Sequence, residues 1–185
     1  MGAIGRLGAD LRELSRATQR RTTPGATVPE YSATRAELLR LAASHDGFKV
    51  LMATRLRESA RRYRIPGLNH FLRLVTTVLF SVEIGNEVTI GAGTEFVHTL
   101  GTVVGGTSVL GDRVRLMGNN TVGASHDDGC PIIGSDVVIG AGARILGSIN
   151  VGDGAFVGAN AVVVSDVPPG AVAIGIPAVS KLAES

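Results

Sequence analysis

The sequence predicts a mainly β protein: a three-sided solenoid of six-residue repeats, preceded by an α-helical N-terminal region. Three observations lead there. Hexads opened at positions 84, 90, 96, 104, 110, 116, 122, 133, 139, 145, 151, 157 and 163 begin with Ile, Phe, Val or Leu in all thirteen cases. The second hexad position is Gly in nine of the thirteen, and the fifth is small or aliphatic almost throughout. The charge balance also reverses near Phe80, with 14 Lys/Arg against 6 Asp/Glu in residues 1–80 and 4 against 10 in residues 81–185. The chain therefore divides into a capping region, 1–80, and a β-solenoid domain with a C-terminal tail, 81–185.

Taken in order, residues 4–20 carry Leu7, Leu11 and Leu14 on one side of a helix, and the Pro- and Thr-rich stretch 22–29 breaks it. Helical spacing resumes through Leu38, Leu39, Leu41 and Ala42, then Val50, Leu51 and Leu56. A Pro66-Gly67 turn precedes a further helix from about Leu68 to Phe80. Arginines in this region recur at helical spacing without interleaved aromatics, which predicts solvated helix faces and no nucleic-acid partner.

From residue 84 the period is six, which fits neither a helix nor a hairpin. It suits a coil in which each hexad makes one short strand and one corner, position one points inward, and glycine at position two permits the corner. Three hexads close one turn of a triangular prism, and stacked turns bury a continuous aliphatic ladder. A composition with 25 Gly, 4% aromatics and no Trp suits such an architecture. A single cysteine, Cys130, leaves no intrachain disulfide and no thiolate metal cluster, and no metal is expected. The most apolar run, LNHFLRLVTTVLF, is too short for a bilayer and contains His70 and Arg73, and the N-terminus has no apolar signal core. The expected setting is cytoplasmic, with no membrane partner.

The repeat is interrupted twice. Two residues are added within FVHTLGTV, at His98, and a loop, GASHDDGCP, is ejected between Val122 and Ile133. A solenoid accommodates insertions only as loops at corners, where function tends to collect. Two of the four histidines and the cysteine sit at these interruptions.

Three stretches, VEIGNEVTIGAGTEFVH, GTVVGGTSVLGD and VVIGAGARILGSINVGDGAFVGANAVVVSDVPPGAVAIGIPA, resemble the hexapeptide-repeat acyltransferases and, within them, the serine O-acetyltransferases. LGADLRELSR and HDGFKVLMATRLRESARR are similar to the last helices of that family's N-terminal region. The resemblance implies a left-handed parallel β-helix, assembled as a homotrimer with active sites between subunits. It implies acetyl-CoA as co-substrate, lying along a coil edge past Ala124, Ser125, Ala141 and Ala159. It places His98 as the general base and Glu83 as the carboxylate that orients it.

For the acceptor it points to Val97, His126, Asp127, Asp128 and Cys130. The family has Asp where Val97 stands, and an Arg-His pair where Gly129 and Cys130 stand. His126 could serve as a second imidazole, Asp127 or Asp128 could meet an ammonium group, and Cys130 reads as a small wall of the pocket, since no cation flanks it to lower its pKa. The expected function is a CoA-dependent O-acetyltransferase acting on the hydroxyl of serine or a serine-like small molecule. The rival expectations are acetylation of a sugar or secondary-metabolite hydroxyl, and a non-catalytic β-helix scaffold.

Overall fold

The computed structural model describes residues 3–22, 40, 42–126 and 129–182. Among the described residues, helices α1 (Ala3–Thr22), α2 (Asp46–Arg62) and α3 (Leu68–Phe80) precede the solenoid, and residues 42–44 are also helical. These match the expected helices at both ends of the region. Leu38, Leu39 and Leu41 lie outside the described residues.

The solenoid has three faces. The first carries β1 (Val82–Ile84), β4 (Thr102–Val104), β7 (Thr121–Gly123), β10 (Arg144–Leu146) and β13 (Val162–Val163). The second carries β2 (Thr89–Ile90), β5 (Val109–Leu110), β8 (Ile132–Ile133) and β11 (Asn150–Val151). The third carries β3 (Glu95–Phe96), β6 (Arg115–Leu116), β9 (Val138–Ile139), β12 (Phe156–Val157) and β14 (Ala171–Gly175), and is closed by the antiparallel β15 (Ala178–Leu182). Except for β12 with β14 and β14 with β15, the pairings are parallel between strands three apart in sequence order, which defines a coil of three strands per turn; between β12 and β14 the second face contributes only the parallel bridge of Val167 to Val151.

The register follows the hexads. Ile84, Val104, Val122, Ile145 and Val163 stack on the first face, Ile90, Leu110, Ile133 and Val151 on the second, and Phe96, Leu116, Ile139, Val157 and Ala173 on the third. Every one of these is at most 4% exposed. Burying each such side chain is worth about 1.5–3 kcal/mol relative to leaving it in water. Regular coils step by eighteen residues, as from Val104 to Val122 and from Ile145 to Val163. Ile84 to Val104 takes twenty and Val122 to Ile145 takes twenty-three, so the two insertions sit where the sequence pattern broke.

The position-two glycines serve a purpose other than the one expected. Gly91, Gly111, Gly134 and Gly152 do not adopt positive φ; the left-handed corner conformation falls two residues later, at Gly93, Arg113, Asp136 and Gly154. At Gly105 and Gly123, which follow the first face, a Cβ would meet nothing nearer than 3.9 Å. At the four positions after the second face, what excludes a side chain is the next coil: a Cβ on Gly111 would lie 2.6 Å from the Gly134 carbonyl carbon and 2.8 Å from the Ser135 nitrogen. These are backbone atoms that cannot step aside. Gly111→Ala is therefore expected to cost about 1–3 kcal/mol by overpacking, seen in calorimetry as a Tm lower by several degrees.

The helices cap the first coil, and here the reading of solvated arginine faces is corrected. Arg55 and Arg57 on α2 are 2% and 1% exposed, whereas Leu56, expected on the apolar face, is 49% exposed. The reason lies in the first coil, whose carbonyls have no coil beneath them to supply donors. Arg55 donates to the Ile90 carbonyl at 2.7 Å and to the Gly91 carbonyl at 2.6 Å, and pairs with the buried Asp10 of α1 at 3.1 Å. Asp10 in turn accepts the Gly93 N–H at 2.7 Å. Arg57 donates to the side-chain oxygens of Asn69 and Asn86. Burial, followed by the nearby charges of Arg61 and Arg73, pushes its pKa down. A guanidinium has five donors in a rigid fork, which suits it to such edges.

Close approach also fixes Gly47, at the start of α2, where a Cβ would fall 2.0 Å from the Phe96 carbonyl oxygen. Among the described residues, no helix is long and apolar enough to cross a membrane.

Candidate active site

His98 lies in the connection between β3 and β4, the corner where the third face turns into the first. The two added residues let this connection bulge, and hydrogen bonds pin it on both sides. Val97 N–H donates to the Leu116 carbonyl at 2.9 Å, Gly101 N–H to the Ser81 carbonyl at 3.1 Å, and Asn119 N–H to the Leu100 carbonyl at 3.0 Å. The His98 ring is exposed. Its Cβ packs on Gly118 of the next coil, where a Cβ would approach it to 2.9 Å and where φ is +116°. Beneath this contact the buried Asn120 accepts from Gly118 N–H of its own rung at 2.9 Å and donates to the Gly140 carbonyl of the next at 2.7 Å, tying the two rungs together. Asn120 holds an inward fifth position for which the hexad pattern favours small or aliphatic residues, so composition gave no signal for it.

On its helical side, this corner opens into a cleft of 430 Å³, lined by Val97, His98 and Leu100 together with Leu14 of α1, Phe48 of α2 and Leu79 of α3. The size suits a small organic ligand. Of its lining, Leu79 and Leu100 are each 70% exposed. Sequence reasoning found Val97 and His98 here but not the helical walls, because their contribution depends on how α1, α2 and α3 pack on the coil.

Glu83 stands on β1, pointing outward between the inward Val82 and Ile84. Its carboxylate is engaged by Arg73 of α3 at 2.5 Å. No hydrogen bond joins it to His98, and among the described residues neither ring nitrogen of His98 has a hydrogen-bond partner. The orienting contact implied by the resemblance is thus not formed in the single chain, where Arg73 Nη2 binds Oε1 of the carboxylate. Arg73 itself was read from the sequence only as part of an apolar run.

The remaining predicted residues fall on two corners. Ala141 and Ala159 are exposed and lie in the same column as His98, one coil above the other: Asn119, Gly142 and Asn160 follow one another there, with Gly142 N–H donating to the Gly118 carbonyl and Asn160 N–H to the Ala141 carbonyl. Ala124, Ser125, His126, Gly129 and Cys130 belong instead to the connection between β7 and β8, where the first face turns into the second. Ala124, Ser125 and His126 are exposed, and the His126 Nδ1 lies against the Ser125 carbonyl. Cys130 Sγ accepts the Thr107 N–H at 3.4 Å and fills the space beside Gly106, where a Cβ would come within 2.3 Å of it. Asp127 and Asp128 lie outside the described residues. In one chain the structure therefore joins His98, Val97, Ala141 and Ala159, and sets the ejected loop one corner away. Among the described residues, no group of three or more His, Cys, Asp or Glu side chains converges to hold a metal ion.

A parallel β-helix with six-residue rungs, helically capped and carrying an exposed histidine at an irregular corner, places the molecule in the hexapeptide-repeat class. No family model matches the chain. The serine acetyltransferase of Helicobacter pylori is 35% identical over 134 residues, covering 71% of this chain and 78% of that one. A serine acetyltransferase solved in complex with CoA superposes with a TM-score of 0.76 at 30% identity, covering 97% of this chain and 69% of its own. Soybean serine acetyltransferase complexed with serine superposes with a TM-score of 0.79 at 34% identity, covering 97% and 70%. The chain belongs to the serine acetyltransferase family, and its fold is that family's left-handed parallel β-helix. It spans about half the length of several other curated relatives that it matches.

Proposed function

We propose that this chain transfers the acetyl group of acetyl-CoA to the hydroxyl of serine or a serine-like small molecule, with His98 as general base. The observation that carries the reading is the position of the imidazole: exposed, seated on Gly118, at the mouth of a cleft and at the foot of a column of small residues. Family membership, and neighbours solved with CoA and with serine, support it and favour a serine-like acceptor over a sugar or a scaffold role.

In this reading a ring nitrogen of His98 removes the acceptor's hydroxyl proton as the oxygen attacks the thioester carbonyl. A backbone N–H stabilises the oxyanion, and the tetrahedral intermediate collapses with expulsion of the CoA thiolate, which takes the proton from the imidazolium. The Glu83 carboxylate would fix the tautomer and stabilise the imidazolium. Acetyl-CoA would run along the seam past Ala141 and Ala159, where no long side chain blocks the approach of its pantetheine arm to the backbone. Val97 would form an apolar wall for the acceptor.

Ala124, Ser125, His126, Asp127, Asp128 and Cys130 would reach the same site from a neighbouring copy, because the loop that bears them leaves a different corner of the prism. In this reading the copies assemble as a homotrimer with its sites at the seams, and the separation of the two corners within one chain supports it. The test is release of free thiol from acetyl-CoA against a panel of L-serine, other hydroxy amino acids, amino alcohols and sugars. Turnover confined to serine and its relatives is expected. No turnover with any acceptor, together with no heat of CoA binding in calorimetry, would overturn the reading.

A further inference from the structure

We infer that Arg73 is a positioning residue for this reaction: it holds the Glu83 carboxylate on the side of the first face from which that group serves His98. The inference rests on the reading of Glu83 and His98 given above. Its basis is the way α3 ends. Ser81 adopts the left-handed conformation, with φ 53° and ψ 37°, and its N–H closes the helix on the Thr77 carbonyl at 3.1 Å. That cap turns the chain back on itself, so that β1 runs against α3, and it brings Glu83 beside a residue ten positions earlier, with Arg73 Nη2 at 2.5 Å from Glu83 Oε1. The same Ser81 accepts the Gly101 N–H with its carbonyl, and Glu83 lies opposite Val103 in the ladder. The segment that carries Glu83 and the connection that carries His98 are thus adjacent rungs, joined at one corner.

A glutamate on an outward strand position has three rotatable bonds, and fixing it costs conformational entropy. A charge-assisted bond from α3 holds one carboxylate oxygen and leaves Oε2 with its lone pairs for an imidazole N–H. Both partners are a little over 40% exposed, at 42% and 45%, so the pair adds little to the stability of the fold. An effect of Arg73 on turnover would therefore reflect placement of the carboxylate and not the integrity of the helix.

The experiment measures kcat and KM for thiol release in the full chain for Arg73→Gln, Arg73→Lys, Glu83→Gln and the Arg73→Gln/Glu83→Gln pair, with thermal unfolding alongside. Arg73→Gln should lower kcat about tenfold at unchanged KM for acetyl-CoA and unchanged Tm, and Arg73→Lys should recover part of the loss. In the Glu83→Gln background the Arg73 substitution should cost nothing further, since the group it places is gone. An unchanged or higher kcat in Arg73→Gln, or losses that multiply in the double variant, would overturn the inference. If Glu83→Gln alone were as active as the parent, the underlying reading of Glu83 would fail along with it. A damaged Glu83→Gln beside an intact Arg73→Gln would instead sink only the role given to Arg73.

Discussion

His98→Ala is expected to lower acetyl transfer by about 10²–10⁴-fold, the usual contribution of a positioned general base. The substitution isolates the chemistry unusually well, because what holds the corner is backbone: the bonds of Val97, Leu100 and Gly101 to neighbouring rungs survive, and alanine keeps the Cβ that packs on Gly118. The imidazole itself is exposed and, among the described residues, hydrogen-bonded to nothing, so its removal orphans no buried group. Thiol release from acetyl-CoA should collapse, while circular dichroism and Tm match the parent. Near-normal turnover in a folded His98→Ala protein would contradict the assignment of the base.

The largest effect on stability is expected at the base of the coil. Arg55→Met removes the cation facing a carboxylate that is fully buried, since the Asp10 side chain is 0% exposed. It also takes donors from the Ile90 and Gly91 carbonyls, leaving the former only the long 3.3 Å bond from Arg6. Stripping one partner from a buried pair costs about 3–5 kcal/mol, because the surviving charge stays desolvated. Urea unfolding should show that loss as a lower midpoint at unchanged slope. The Asp10→Asn/Arg55→Met double variant, which removes both charges, should lose less than Arg55→Met alone. Equal stability of Arg55→Met and parent would mean that the helices do not depend on this clasp.

These two residues also show what could be read from the sequence and what could not. His98 announced itself by interrupting a regular period, and a period is a local property that needs no knowledge of the fold. The same holds for the buried ladders: each opening residue from Ile84 to Val163 faces inward because three rungs must share one narrow aliphatic interior. Arg55 and Arg57 carry no such mark. An arginine at helical spacing looks solvated, and only docking α2 against a coil end with unpaired carbonyls makes it a buried donor. Asn120 was hidden for the same reason, since its partners, Gly118 and Gly140, belong to different rungs. The sequence pattern credits the second-position glycines to turning; the approach of a Gly111 Cβ to Gly134 shows that stacking distance demands them after the second face, while Gly105 and Gly123 after the first face are not so confined. Arg73 meets Glu83 only through the reversal at Ser81, which no spacing rule foretells.

The small-residue column at the His98 corner behaves as a graduated scale. Neighbouring strands lie about 4.8 Å apart, so the three steps from the His98 rung through Gly118 and Ala141 to Ala159 span about 14 Å. Lengthening that scale means adding whole eighteen-residue turns, because no side-chain change alters the pitch. On the proposed course of acetyl-CoA along this column, a donor with a longer or shorter arm would be accommodated by inserting or deleting a rung between Gly118 and Ala159, with the imidazole and its supports left untouched.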